Sequence, residues 1–261
     1  MTIMKILHTA DWHIGKRLHK YDLTPDFELF VDWLVDLVKK ESIDTILVSG
    51  DIFDLANPSS EARRVYFLTL LKLQQLQCKV ILTGGNHDSP AVLNGPKELL
   101  QAMDIHVVGS LPEDISSCII PLKNRVGKTK AVVAALPYLR DPDLRNATED
   151  FSYENKVDAI REGITRVFEQ AAQACKENYP DVPAIAMGHL FAAGANTSES
   201  ERDIQLGNEA SFDAKHFGHH FHYIALGHIH RPQVVNAPCP TYYSGSPIPL
   251  SFSEREDKKR L

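Results

Sequence analysis

The sequence predicts an α/β protein in which buried strands alternate with helices and one site gathers at the carboxyl ends of the strands. Three observations predict it. Short apolar runs, several of them rich in β-branched residues, alternate with amphipathic helical patterns. The runs are nearly continuous in apolarity, the pattern of strands buried on both faces, as in a sheet sandwiched by helices. Five of the runs lead into a turn that carries Asp, Asn or His.

The strand-like runs are residues 5–8, 45–49, 79–83, 131–136, 184–187 and 223–226. Between them lie helices. Residues 27–40 place Phe27, Phe30, Val31, Leu34, Leu37 and Val38 on one face. Thr24-Pro25-Asp26 ahead of that face supplies an N-cap, a favoured first-turn proline and an acid near the positive end of the helix dipole. Residues 153–177 repeat the pattern with Val157, Ile160, Ile164, Val167, Phe168, Ala171 and Ala174. Residues 61–77 differ, because Val65, Tyr66, Phe67, Leu68, Leu70, Leu71, Leu73 and Leu76 put apolar groups all round the axis. Such a helix is either fully buried or packs on a second partner. The polar loop 194–207, GANTSESERDIQLG, is long enough to suggest a functional role.

Composition narrows the classes. The chain has 261 residues, 43% of them hydrophobic and 24% charged, which is ordinary for a globular domain. No apolar stretch approaches the length of a membrane span, and MTIMKILHTAD reads as a first strand, not a secretory signal. The four cysteines, Cys78, Cys118, Cys175 and Cys239, form no CxxC pair. They read as small residues in a reducing compartment, so the cytoplasm is the expectation and a zinc–thiolate site is not. A formal net charge of −6 argues against nucleic-acid binding by bulk electrostatics but leaves room for a local basic groove. Lys16, Arg17, His19 and Lys20 form one basic cluster, and Lys123, Arg125, Lys128 and Lys130 another. Arg63-Arg64 and Lys258-Lys259-Arg260 are shorter runs that read as solvated surface charge.

The turns carry the chemistry. The first run leads into HTADWH, with Asp11 and His13; the second into SGDIFD, with Asp51 and Asp54. The third leads into TGGNHD, with Asn86, His87 and Asp88; later runs lead into His189 and into LGHIH, with His228 and His230. A single Asp or His at a strand end is usually a turn or capping residue. Five such turns at five strand ends point instead to one cleft. Two aspartates, one asparagine and four histidines drawn from these turns make seven oxygen and nitrogen donors without a thiolate. Imidazole with carboxylate suits Mn²⁺, Fe, Co or Zn. Seven ligands exceed what one catalytic ion needs and suit two ions sharing a bridging carboxylate. Two-metal sites activate water and clamp the attacking and leaving oxygens of a phosphoryl displacement. The expected chemistry is metal-assisted phosphoester hydrolysis. The tract KHFGHHFH, with His216, His219, His220 and His222, precedes a strand and is expected at the opposite end of the sheet, while His8 and His106 read as structural.

The motifs DWH, GDIFD, GGNHD, GH and GHIH, in this order, resemble the calcineurin-like metallophosphoesterases. LHTADWHIGKRL, VSGDIFDLANPSSEARR, GGNHDSP, SESER, ALGHIHRPQ and YYSGSPIPLSFSERE further resemble the SbcD-like branch of DNA break-processing nuclease subunits, over nearly the whole chain. The resemblance implies a two-sheet metallophosphoesterase sandwich flanked by helices, with the metal site at strand carboxyl ends. It implies that Asp11, His13 and His230 hold one ion, that Asn86, His189 and His228 hold the other, and that Asp51 bridges them. His228 and His230 are then divided between the ions. His87 would face the scissile phosphate as a catalytic group, oriented by Asp88 or Asp54. It further implies two Mn²⁺ ions, double-strand 3′–5′ exonuclease and single-strand endonuclease activity, a coiled-coil ATPase partner, DNA as substrate, and a homodimer through the 61–77 helix with residues 96–103 nearby. Lys16, Arg17, His19 and Lys20 are the expected DNA contacts. Members of this branch continue past SGSP into a capping domain, and the whole of 1–261 is expected to be the phosphoesterase domain without it. Two rivals are a phosphatase or cyclic-nucleotide phosphodiesterase on the same scaffold and a non-catalytic scaffold that tethers DNA ends. GDIFDLA and GNHD differ from the GDxxDRG and GNHE of the protein phosphatases.

Overall fold

The apolar runs form parallel strands, and these divide between two sheets. The computed structural model describes residues 3–124, 126–145, 156–201 and 211–261. The chain runs β1 (Ile6–Thr9), β2 (Arg17–Leu18), β3 (Tyr21–Asp22), α1 (Thr24–Glu41), β4 (Thr45–Ser49), α2 (Ser60–Gln74), β5 (Lys79–Thr83), α3 (Pro90–Asn94), α4 (Lys97–Gln101) and β6 (Ile105–Val108). It continues through β7 (Ile119–Lys123), β8 (Thr129–Ala135), α5 (Asp141–Arg145), α6 (Lys156–Asn178), β9 (Ala184–His189), β10 (Tyr223–Gly227), β11 (Gln233–Val235) and β12 (Thr241–Tyr243). Arg125, the first residues of the expected 153–177 helix and residues 202–207 of the long loop lie outside the described residues.

One sheet has the order β1-β4-β5-β6 and is parallel throughout. The other has the order β11-β12-β10-β9-β8-β7, with a parallel centre and antiparallel edges. The strands are buried on both faces, but helices cover only one face of each sheet. Leu47 and Ile81 of the first sheet meet Ile120, Leu122, Val133, Ile185, Met187 and Ala225 of the second. On the outside, Phe27, Val31 and Leu34 of α1 and Val65, Leu70 and Leu73 of α2 cover the first sheet. Ile160, Ile164, Phe168 and Ala171 of α6 cover the second. Continuous apolarity marks burial on both faces and is silent on whether a helix or a sheet does the burying. That is why the runs alone suggested a single helix-sandwiched sheet.

Two local readings need correction. Helix α1 begins at Thr24, and its first amide is capped from outside: the Thr24 amide donates to Asp22 Oδ1 at 2.9 Å. Helix α2 is not buried all round. Ala62, Val65, Tyr66, Thr69, Leu70 and Leu73 face inward, while Phe67, Leu68 and Leu71 remain 43%, 42% and 41% exposed.

The contact between the sheets predicts a specific loss. Leu47 is fully buried between them, and Leu47→Ala should cost about 2–5 kcal/mol in urea unfolding by transfer and cavity terms. An unchanged unfolding midpoint would contradict the packing described.

Candidate metal centre

The loops after β1, β4, β5, β9 and β10 converge where the two sheets meet. The first two are zipped together by main-chain bonds: Asp11 N to Gly50 O at 3.0 Å, His13 N to Asp51 O at 3.0 Å and Ile14 N to Ile52 O at 2.9 Å. The sheets close on each other where Ser49 Oγ donates to Ala225 O at 2.9 Å and His228 N donates to Asp11 Oδ1 at 2.9 Å. Two glycines permit the approach. A Cβ on Gly85 would lie 2.1 Å from Asp51 Oδ1, and one on Gly227 would lie 1.8 Å from Ser49 O. Four of the predicted ligands adopt left-handed backbone: Asp11 (φ 53°), His13 (44°), Asp51 (51°) and His228 (102°). Such geometry costs on the order of 1–3 kcal/mol per residue and persists where surrounding bonds over-determine it, typically at functional sites.

The side chains form two adjoining groups. Asp11, His13 and His230 present donor atoms within 4.8 Å of one another, and so do Asp51, His189 and His228. Asp51 Oδ2 stands between the groups, 3.5 Å from His13 Nε2 and 3.4 Å from His189 Nε2. Asn86 Oδ1 lies 2.9 Å from His189 Nε2. All seven side chains expected to bind metal are thus together, and His228 and His230 fall in different groups.

Contacts at the outer ring nitrogens fix which ones face inward. His189 Nδ1–H donates to the Ser49 carbonyl at 2.9 Å, which makes Nε2 the inward atom. His13 Nδ1 faces Asp54 Oδ1 at 3.3 Å, so its Nε2 is also the inward atom. That Nε2 stands 3.2 Å from His230 Nε2. Lone pairs pointed at each other in a dry site repel unless a cation or proton lies between them. Asp11 Oδ2 and His228 Nε2 are buried with no hydrogen-bond partner. Orphaned acceptors and facing lone pairs are the features a pair of cations would satisfy, so the donor set fits divalent metal.

The same crowding shifts the acids and bases of the site. Burial raises Asp11 to about 7. Burial would raise Asp51 too, but the His189, His13 and His87 rings hold it well below the usual carboxylate range. For His189, burial opposes the charge, yet the Asp51 carboxylate wins and lifts the ring to about 9. Burial depresses His13 to about 4 and, with the neighbouring His189, holds His228 well below the imidazole range.

The three residues expected to do catalysis have separate surroundings. His87 is 3% exposed; its Nδ1–H donates to the Asp54 carbonyl at 2.8 Å and its Nε2 lies 3.9 Å from Asp51 Oδ2. Asp54 therefore orients His87 by its main chain. Its carboxylate contacts His13 and, at 3.1 Å, Lys16 Nζ. Asp88 ties loops together: its oxygens accept from Ile52 N, Phe53 N and Gly85 N at 3.0, 2.9 and 2.8 Å. Of the expected DNA contacts, Lys16 is half-buried at the site edge, while Arg17, His19 and Lys20 are exposed on and beside the β2–β3 hairpin.

The histidine tract lies at the far end, where His222 Nδ1 accepts from Ala184 N at the start of β9. His8 pairs with the Tyr223 hydroxyl, and His106 with Lys79 and Asp104. Lys259 is a correction. It is not solvated surface charge, because its Nζ donates to Glu254 Oε2 at 2.6 Å and to the His230 carbonyl at 2.9 Å. Sequence reasoning also gave no role to Ser200, Glu201 and Glu254, which surround His230. Their only signal was membership in the serine- and glutamate-rich stretches SESER and SFSERE.

Known proteins resemble this chain in sequence and in fold. The family model described as Calcineurin-like phosphoesterase matches residues 4–232. The chain is 37% identical over 253 residues to the D subunit of the SbcCD nuclease of Escherichia coli (strain K12), covering 96% of this chain and 62% of that one. It is 36% identical over 262 residues to the protein of that name from Rhodobacter capsulatus, covering 96% and 64%. With that from Bacillus subtilis (strain 168) it is 32% identical over 254 residues, covering 96% and 63%. The chain therefore spans about three fifths of the length of these relatives. The crystal structure of TT1561 of Thermus thermophilus superposes with a TM-score of 0.53 at 15% identity, over 94% of this chain and 90% of that one, a likeness of fold.

The protonation pattern makes a prediction. Asp11 near 7 and His189 near 9 hold protons at neutral pH that must leave before either can ligate a cation. Calorimetric titration with Mn²⁺ at pH 7 should show proton release, as an enthalpy that varies with the buffer's ionisation heat, and affinity should fall as pH drops below about 9 and more steeply below about 7. Binding with no proton release and no pH dependence would contradict it.

Proposed function

The chain belongs to the calcineurin-like phosphoesterase family, and from that premise we propose that it is a metal-dependent DNA nuclease that hydrolyses phosphodiester bonds. The observation that carries this reading is the buried pair of ligand groups, with Asp51 Oδ2 facing both His13 and His189, beside the inward-facing edge of His87. The name shared by its relatives favours a nuclease over the other phosphoesterases.

Asp11, His13 and His230 would hold one ion, Asn86, His189 and His228 the other, and Asp51 both. Mn²⁺ is the proposed metal, since imidazole with carboxylate suits it. Bound ions would supply an acidified water and positive charge opposite the phosphate. The chain's own residues do the rest. Ser49 and Asp54 carbonyls lock the His189 and His87 rings in orientation. As an imidazolium, with Nδ1–H kept on the Asp54 carbonyl, His87 would present Nε2–H to stabilise charge on the phosphate or to protonate the leaving oxygen. Arg17, His19 and Lys20 contact the DNA backbone outside the cleft, and Lys16 reaches it at the rim beside Asp54.

The remaining parts of the proposal concern assembly. The chain works with a coiled-coil ATPase partner in processing DNA ends and hairpins, as a 3′–5′ double-strand exonuclease and single-strand endonuclease. Phe67, Leu68 and Leu71 on the outer face of α2 form the homodimer contact. No helix of the described residues is long and apolar enough to cross a membrane, and the proposed compartment is the cytoplasm.

Incubation with Mn²⁺ and plasmid or hairpin DNA, a small chromogenic phosphodiester, or a phosphoprotein separates the readings. DNA cleavage is expected. Activity on the small ester or phosphoprotein without DNA cleavage would favour a phosphatase or phosphodiesterase, and no cleavage of any would favour a tethering scaffold. His87→Ala should lower DNA cleavage by about 10²–10⁴-fold with metal stoichiometry unchanged. Near-normal turnover in that variant would remove His87 from catalysis.

A further inference from the structure

His230 is held at every polar atom except the one that faces the metal groups. Its N–H donates to Glu201 Oε1 at 2.8 Å. Its carbonyl accepts from Ser246 N at 3.1 Å and Lys259 Nζ at 2.9 Å. Its Nδ1 lies 2.6 Å from Ser200 Oγ. Behind Ser200 stands the carboxylate of Glu254, with 0% exposure. Glu254 Oε1 accepts from the Ser200 hydroxyl, from Ser198 Oγ at 3.3 Å and from Ser251 Oγ at 3.2 Å. Oε2 accepts from Ser246 Oγ and Leu250 N, both at 3.2 Å, and from Lys259 Nζ at 2.6 Å. A buried charge this well supplied with donors is assembled, since an unpaired one would cost several kcal/mol.

The direction of the chain of bonds follows from chemistry. A carboxylate only accepts, so the Ser200 proton lies towards Glu254. The Ser200 oxygen must then accept from His230, which places the ring proton on Nδ1 and the lone pair on Nε2, toward His13 and Asp11. Resting on the metal reading above, we propose that Glu254 and Ser200 are positioning residues that fix the His230 tautomer and ring for one of the two ions. Through them, the 198–201 loop and the segment 246–259 become part of that ion's site. Neither residue touches the other ligand group in any contact described for it.

The test uses Mn²⁺ binding to the whole chain, without DNA or turnover, so it is independent of the substrate. Wild-type protein is expected to bind two ions. Ser200→Ala and Glu254→Gln should weaken one site by about 10–100-fold and leave the other at its wild-type affinity. Ser200→Thr, which keeps the hydroxyl, should restore the weakened site. Nitrogen-15 imidazole spectra of the metal-free protein should report Nδ1–H for His230, and that tautomer should lose its dominance in Ser200→Ala while thermal unfolding stays near wild type. Wild-type affinity at both sites in Ser200→Ala, or equal weakening of both, would overturn the positioning role and leave the nuclease reading standing. A wild-type chain that binds no Mn²⁺ would overturn both.

Discussion

Asp51 is a carboxylate with 1% exposure at the seam between the two sheets. Its Oδ1 accepts from His87 N at 2.9 Å, and its Oδ2 faces His13, which follows β1 of one sheet, and His189, which ends β9 of the other. A charge so placed must be compensated, because its desolvation costs several kcal/mol. The surrounding structure reads as the means of compensation. Glycines at 85 and 227 let the loops approach, left-handed backbone at Asp11, His13, Asp51 and His228 aims the side chains, and the inter-sheet core sets the spacing. The strain at the ligands is balanced by the packing of two sheets that bury apolar side chains a few residues away.

Much of this was legible because both signals it needs are local. An apolar run followed by Asp, Asn or His identifies a strand end and a polar turn together, and the residues of these turns meet as expected. Strands β4 and β5 begin and end where their apolar runs put them. The separation of His228 from His230 came from resemblance, and the structure gives its physical form. Left-handed backbone at His228 breaks the strand, so neighbours two apart no longer share one side as they would on an extended segment.

Other features were illegible for definite reasons. Helix or sheet can cover a doubly buried strand, so two sheets could not be told from one by apolarity. Edge strands β7 and β11, and β12 next to the edge, carry Pro121, Gln233, Thr241 and other residues that break the apolar signal. The surroundings of His230 come from residues 30 and 24 positions away, Ser200 and Glu254, and no spacing rule links them. Lys259 looked like surface because its neighbours Lys258 and Arg260 are charged too. Its contacts with buried Glu254 and with the His230 carbonyl set it apart. Asp54 and Asp88 were assigned to one task, but a carboxylate's direction depends on which amides its own turn exposes.

The central claim is that two ions share Asp51. Crystals of the protein grown with Mn²⁺, measured at the manganese absorption edge, test this directly. Two anomalous peaks are predicted, one among Asp11, His13 and His230 and one among Asn86, His189 and His228, with the Asp51 carboxylate in contact with both. A single peak, or two peaks of which Asp51 touches only one, would contradict it.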